Sequence, residues 1–397
     1  MLYLPLLFFI AFSVPSSAIS VGSINLRLDD LIIYFFFVAN IRECIYHFNK
    51  LINSFDYAIF SVLFVYATLS LFFVALIHPE KISNYYLFKF LGSLPHLFVL
   101  PVWLMSERYR RMLHIGVVFS AVVFSLQVFF YLNQINLADM KTSASIKSAA
   151  SFGSLNPNAV GTYALIIFIY LVILNFSNTK LESWMKKISF FSLILISLVP
   201  FAVFTRANIG AMLFIMLMSF VFTFNRKQKI YSSLVFINIG IIFSVAYWDY
   251  LEGYILGAFD IDFSTGEGTS SRTFLWKQAL ELVDIYPIFG HGMTSEIYTY
   301  KKYFQGQMSH SIVFRYWIEL GAVGLCLFLF SYAQFFTSKI YKFLRTGSNL
   351  YLQQAICMTG FFVADIFGQI QYFDKLHYMI LFITTINLKS RNTRLCH

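Results

Sequence analysis

Three cationic or titratable side chains stand where apolar segments of this 397-residue chain meet polar ones: Arg206, Arg272 and His310. Arg206 interrupts an apolar run at Thr205-Arg206-Ala207-Asn208. A guanidinium there either snorkels to a membrane interface or clamps an anion such as a phosphate, for which its planar fork of donors is suited. Position alone weighs these two equally. Arg272 opens a stretch with Phe274, Leu275, Ala279, Leu280 and Val283 at helical spacing, ended by Asp284 and Pro287. It fits a solvated side chain or a partner for Glu267 or Asp262. It also fits a second phosphate ligand, because the free N–H groups of a helix start attract anions. His310 lies in Ser309-His310-Ser311. An imidazole titrates near neutrality and can take a proton from an attacking hydroxyl; taken by itself, an interfacial histidine is the simpler account.

Other residues would support such a site. Arg315 and Glu319 are four apart, share a helix face and are expected to pair, which keeps either from standing as a lone buried charge. Gly321 and Gly324 allow close packing beside Glu319. Trp276, Tyr298, Tyr300, Tyr303 and Phe304 offer faces for sugars or, equally, anchors at an interface. Asp260-Ile261-Asp262 and Asp29-Asp30 have the form of metal-binding carboxylates. Motifs this short read more simply as solvated loop acids. His291, between two glycines, reads as a turn residue. The other histidines show no metal-ligand spacing, so neither a metal nor a cofactor is expected.

The elements that must position these residues are membrane helices. Hydrophobic residues make up 58% of the chain and charged ones 12%, with mean hydropathy +0.69. Soluble domains run nearer a quarter charged, so this composition excludes a water-soluble enzyme, a disordered chain and a nucleic-acid-binding protein. The net charge of +10 sits in short basic clusters between apolar runs. Apolar runs near 2–19, 30–41, 57–77, 86–105, 112–132, 158–176, 188–205, 207–224, 230–248, 311–334, 350–369 and 376–388 predict about twelve spans in one transmembrane domain over 1–397. The first run ends like a signal peptide but has no basic n-region, and is expected to stay as an uncleaved span. Basic residues such as Arg108, Arg110, Arg111, Lys339, Lys342 and Arg345 place both termini in the cytoplasm. Residues 249–310 then form one long outer loop containing an amphipathic helix. The four cysteines read as unpaired thiols.

Taken in order, the motifs form a series. Arg272, Trp276, Pro287-Ile288-Phe289-Gly290-His291-Gly292, His310-Ser311 and Glu319-Leu320-Gly321-Ala322-Val323-Gly324 follow one another. Upstream stand Asn156-Pro157-Asn158 and Thr205-Arg206-Ala207. The series resembles the bacterial O-antigen polymerase and O-antigen ligase family over about 156–330. Ser311 departs from it, since family members often carry Asn there. The resemblance implies a membrane-integral glycosyltransferase of the bacterial inner membrane, acting on its periplasmic face without a metal. The donor it implies is an undecaprenyl-diphosphate-linked oligosaccharide. By the same resemblance Arg206 and Arg272 hold the diphosphate and His310 activates the acceptor hydroxyl. A chain-length regulator is an expected protein partner.

The first expectation is an O-antigen polymerase, whose acceptor is another lipid-linked repeat unit. The second is an O-antigen ligase, whose acceptor is lipid A-core. A transporter of the same lipid-linked glycans is a third reading, and would line a cavity with charges without needing a base. A metal-dependent transferase using Asp29, Asp30, Asp260 and Asp262 is a fourth.

Overall fold

A computed structural model describes residues 1–14, 18–21, 24–52, 55–82, 84–133, 157–176, 183–203, 205–226, 229–230, 232–233, 272–304, 309, 311–366, 378–379 and 383. Among these the chain is built of helices α1 (Leu4–Phe12), α2 (Leu28–Ala39), α3 (Ile41–Ile52), α4 (Ala58–Ile77), α5 (Asn84–Met105), α6 (Glu107–Asn133), α7 (Pro157–Phe176), α8 (Ser183–Ala202), α9 (Arg206–Phe222), α10 (Arg272–Ile285), α11 (Glu296–Phe304), α12 (Ile312–Thr346) and α13 (Asn349–Ile366). One antiparallel hairpin, β1 (Ala18–Val21) and β2 (Ile24–Arg27), joins α1 to α2 in the register Ala18↔Arg27.

Five of the described helices, α4, α6, α7, α8 and α12, are long and apolar enough to cross a membrane; the bent pair α2–α3 makes six if it counts as one span. The protein is a multi-pass membrane protein. The twelve spans expected from the apolar runs are not reached among the described residues. The run 2–19 yields a helix of only nine residues, too short to span. Ser13 turns its hydroxyl back onto the Ile10 carbonyl at 2.7 Å, Pro15 follows, and the β-branched Ile19, Val21 and Ile24 enter strands. The run 30–41 ends at Asn40, where α3 leaves at 96° to α2. With Arg42, Glu43, His47, Asn49 and Lys50 set among Ile41, Ile45, Phe48, Leu51 and Ile52, α3 has the pattern of a helix lying along an interface. The runs 230–248 and 376–388, and the loop segment 249–271, lie wholly or largely outside the described residues.

α7 is the hub. Of its apolar window 94% is buried, because it is apolar on every face and can be wrapped all round. α4 buries only 22% of its window and turns Leu69, Phe72, Phe73 and Leu76 outward, an apolar face suited to lipid. α4 and α12 run antiparallel. At one end Asp56, just before α4, accepts bonds from Ser338, Lys339 (3.2 Å) and Lys342 (2.6 Å) of α12. Toward the other end the Tyr66 hydroxyl donates to the Leu320 carbonyl (3.1 Å). The first end is termed the basic side and the second the loop side.

α12 is broken. Gly321 adopts φ 66°, ψ −168° inside the helix, dividing it into Ile312–Leu320 and Ala322–Thr346. The turn between α10 and α11 fills the break: the Ala322 and Val323 N–H groups donate to the Pro287 and Ile288 carbonyls (2.8 and 3.2 Å). A Cβ on Gly321 would collide with the Ile288 carbonyl, and one on Gly290 would meet the Glu319 carbonyl oxygen at 2.5 Å. Both positions need glycine, for positive φ and for close backbone approach.

Candidate active site

The long loop is fastened to the short first segment of α12. The helix expected over 272–284 is observed as α10, Arg272–Ile285, with Leu275, Ala279, Leu282 and Val283 packed on Ile318 and Tyr300. The Tyr300 hydroxyl donates to the Leu275 carbonyl at 2.9 Å. The Gly290-His291-Gly292 turn follows. The His291 and Gly292 N–H groups donate to the Ile318 and Glu319 carbonyls, both at 2.8 Å. The His291 ring bonds the Leu282 carbonyl at 2.9 Å. A carbonyl only accepts, so the ring donates through Nε2 and ties α10 to the turn, as a turn residue should.

Two carboxylates and one guanidinium are buried at the centre. Glu319 accepts the Thr294 N–H at 2.8 Å on Oε2 and the Glu296 N–H at 3.1 Å on Oε1. Arg315 Nε stands 3.4 Å from Glu319 Oε1, as the four-residue spacing predicts, and 3.6 Å from Glu296 Oε2. All three side chains are less than a tenth exposed. One cation between two carboxylates is electrostatically coherent only because backbone N–H groups share the remaining negative charge. Glu296 was not legible as a site residue; it reads as one more acid in an acidic loop. The one signal is Ser295-Glu296 at the start of an unexpected second loop helix, where an acid favours the helix dipole.

Glu296 carries the arrangement to Ser309. Its Oε1 accepts both the Ser309 N–H (3.1 Å) and the Ser309 hydroxyl (2.6 Å). Trp276 Nε1–H donates to the Ser309 carbonyl at 3.0 Å. Ser309 is fully buried, and its amide, hydroxyl and carbonyl are all bonded. Trp276, Arg315 and Glu319 are thus brought together around the residue preceding position 310. His310 itself, and the side chain of Arg272 at the start of α10, lie outside the described residues.

Arg206 begins α9 at the tip of the α8–α9 hairpin and is exposed. The tip presses on α7: a Cβ on Gly161 would meet Thr205 and the Asn208 amide nitrogen (2.7 Å). The other end of α9 meets the start of α13, where Asn349 and Gln353 bond Thr223 (3.3 and 2.7 Å). α13 starts just after α12 ends. Arg206 therefore lies at the same end of the bundle as Ser309 and Ser311, on the loop side. Both members of the Asp29-Asp30 pair depart from the expectation of solvated acids. Asp29 is wholly buried and accepts from Arg27 Nε at 2.8 Å. Asp30 accepts the Arg27 N–H at 3.3 Å and lies 3.5 Å from His96. The reason is a partner in the preceding strand, Arg27, also packed over the Tyr163 ring. Asp260 and Asp262 lie outside the described residues.

No curated protein matches the chain. A family model described as O-Antigen ligase (Wzy_C) matches residues 191–329. That span takes in Arg206, Arg272, Trp276, Glu296, the 287–292 turn, His310, Arg315 and Glu319. Over residues 191–329, the hairpin tip together with the loop and the broken helix that clamps it, the chain is accordingly similar to the O-antigen ligase family.

Proposed function

We propose that the protein is an O-antigen polymerase: a membrane-integral glycosyltransferase that moves an undecaprenyl-diphosphate-linked glycan onto a hydroxyl of another lipid-linked repeat unit. The loop side is the periplasmic face of the inner membrane and both termini are cytoplasmic. In the reaction the acceptor oxygen bonds the anomeric carbon and the bond from that carbon to the diphosphate oxygen breaks. The hydroxyl proton passes to His310 and the diphosphate leaves on its lipid. Arg206 and Arg272 stabilise the charge that grows on the leaving group; such fixed donors act most strongly where water is excluded. An acceptor hydroxyl titrates far above neutrality, so a base within about 3 Å is needed. The energy travels in the donor's own bond, and neither metal nor cofactor takes part.

The observation that carries this reading is the clamp on Ser309. Two loop helices and a buried ion cluster hold rigid the residue next to the proposed base, at the same end of the bundle as Arg206. Catalytic groups need such support. The ligase reading is favoured by the matched family's own description. The lipopolysaccharide ladder of a deletion strain separates the two. Core carrying a single repeat unit is the polymerase result; bare core with accumulated lipid-linked polymer is the ligase result. Full-length polymer in strains making normal amounts of His310→Ala and Arg272→Ala protein contradicts transfer altogether and leaves transport. Loss of activity in EDTA contradicts metal independence.

A further inference from the structure

The turn that plugs the α12 break exposes apolar side chains where a loop should expose polar ones. Phe289 is 67% exposed, Ile288 57% and Tyr286 50%, with Pro287 also exposed. Its depth is fixed by α4, whose 20 residues make about 30 Å of helix, the thickness of the hydrocarbon core. α4 starts beside the Asp56–Lys339–Lys342 cluster and ends at Ile77, followed by Glu80 and Lys81. The ammonium of Lys81 lies 6.0 Å from the Tyr286 ring, so Tyr286 stands level with the loop-side end of the apolar length. Beyond it the chain goes deeper. Gly292 packs on Val74 and the Met293 N–H donates to Ser70 Oγ at 3.2 Å. These positions are roughly 5–10 Å down α4 from Ile77 at 1.5 Å per residue. Irregular backbone is tolerated at that depth only when its polar groups are paired within the protein. Much of that pairing is present. The Pro287 and Ile288 carbonyls take the Ala322 and Val323 N–H groups, the Gly290 N–H bonds the Tyr286 carbonyl, and the His291 and Gly292 N–H groups bond Ile318 and Glu319.

We propose that the Tyr286–Phe289 turn is a re-entrant membrane anchor, with Ile288 and Phe289 inserted among the acyl chains of the loop-side leaflet. Tyr286 and Lys81 sit at its headgroup boundary. The anchor fixes the depth of the clamped loop relative to the bilayer, whatever reaction takes place there, and so stands independently of the transferase reading. Phospholipid chains are the occupant that the depth along α4 specifies; a protein partner covering Phe289 is an alternative outcome of the test.

The test uses the full-length protein in nanodiscs of phosphatidylethanolamine and phosphatidylglycerol. Cys326 and Cys396 are replaced by serine, the buried Cys44 and Cys357 are kept, and a nitroxide is attached to Phe289→Cys, Ile288→Cys or Tyr303→Cys. Collision rates with oxygen, which partitions into lipid, and with a water-soluble nickel chelate are then measured. The expected oxygen-to-nickel ratio is several-fold higher at 288 and 289 than at 303, which neighbours Lys301 and Lys302 on α11. Equal ratios place the turn in water, and low collision with both reagents means a protein covers it; either result overturns the proposal. Phe289→Trp gives the same decision without a label. Its added fluorescence over wild type is quenched by brominated lipid if the anchor is real, and is not quenched if it is not.

Discussion

At the scale of single residues, the site depends on Ser309 being held by Trp276 of α10 and Glu296 of α11. Glu296→Ala removes the acceptor of two of its bonds and leaves Arg315 facing Glu319 alone. The expected result is a fall in kcat of tenfold or more, short of the roughly 10²–10⁴-fold loss for removing a general base, with KM for the lipid-linked donor little changed. Steady-state kinetics on purified protein check this, and an effect confined to KM contradicts a positioning role. Trp276→Phe keeps the ring and loses one donor to a buried carbonyl, a cost of about 1–3 kcal/mol. It should lower kcat in the same direction and less severely. Spacing made the Arg315–Glu319 pair legible, because four residues on a helix place two side chains together. Glu296 was hidden, because its partners are 13 to 23 residues away and no local pattern encodes them.

At the scale of elements, the loop was legible where periodicity was strong. The apolar spacing of 274–283 and the stop at Pro287 gave α10 to within one residue. The break in α12 was not legible as a break. Gly321 sits in an apolar run and reads as a small residue for helix packing, whereas its positive φ is forced by the turn docked against it. A paired comparison tests this. Gly321→Ala puts an alanine at φ 66°, ψ −168°, a region essentially reserved for glycine, and adds a collision with the Ile288 carbonyl. Gly347, at φ 62°, ψ 12°, has nothing within 4 Å of a built Cβ, so Gly347→Ala carries only the milder left-handed penalty of about 1–2 kcal/mol. Thermal unfolding in detergent should show the larger drop for Gly321→Ala; equal drops contradict the docked turn. The first apolar run failed for a related reason. Hydropathy counts residues, and the strand pairing that ends α1 after nine residues is a tertiary event.

At the scale of the whole molecule, the membrane class follows directly from composition, while the number of spans does not, since kinks, interfacial helices and re-entrant turns share the hydropathy of true spans. The basic side is locked by Asp56, one acid bonded by Ser338, Lys339 and Lys342. Burial alone would raise this carboxyl. The charge of Lys339 and the bonds from Lys342 and Ser338 outweigh it and hold the group below the ordinary carboxylate range. Its folded-state value is depressed, so the stability it contributes is present above the ordinary carboxylate pKa of about 4 and is lost as pH falls through the folded value. Asp56→Asn leaves Lys339, 2% exposed, without its counter-charge, at a cost of about 3–5 kcal/mol. Thermal stability followed from pH 7 downward should fall for the wild type in acid and start lower, with a flatter acid limb, for the variant. Arg206, Arg272 and His310 are proposed to act together on a polyprenyl diphosphate glycan at the loop side. The most direct test is polymer formation by the purified protein in nanodiscs supplied with undecaprenyl-diphosphate-linked repeat units. Glycan chains are expected from the wild type, and none above background from folded Arg206→Ala, Arg272→Ala and His310→Ala proteins. Chains of normal length and yield from any of the three would contradict that joint action.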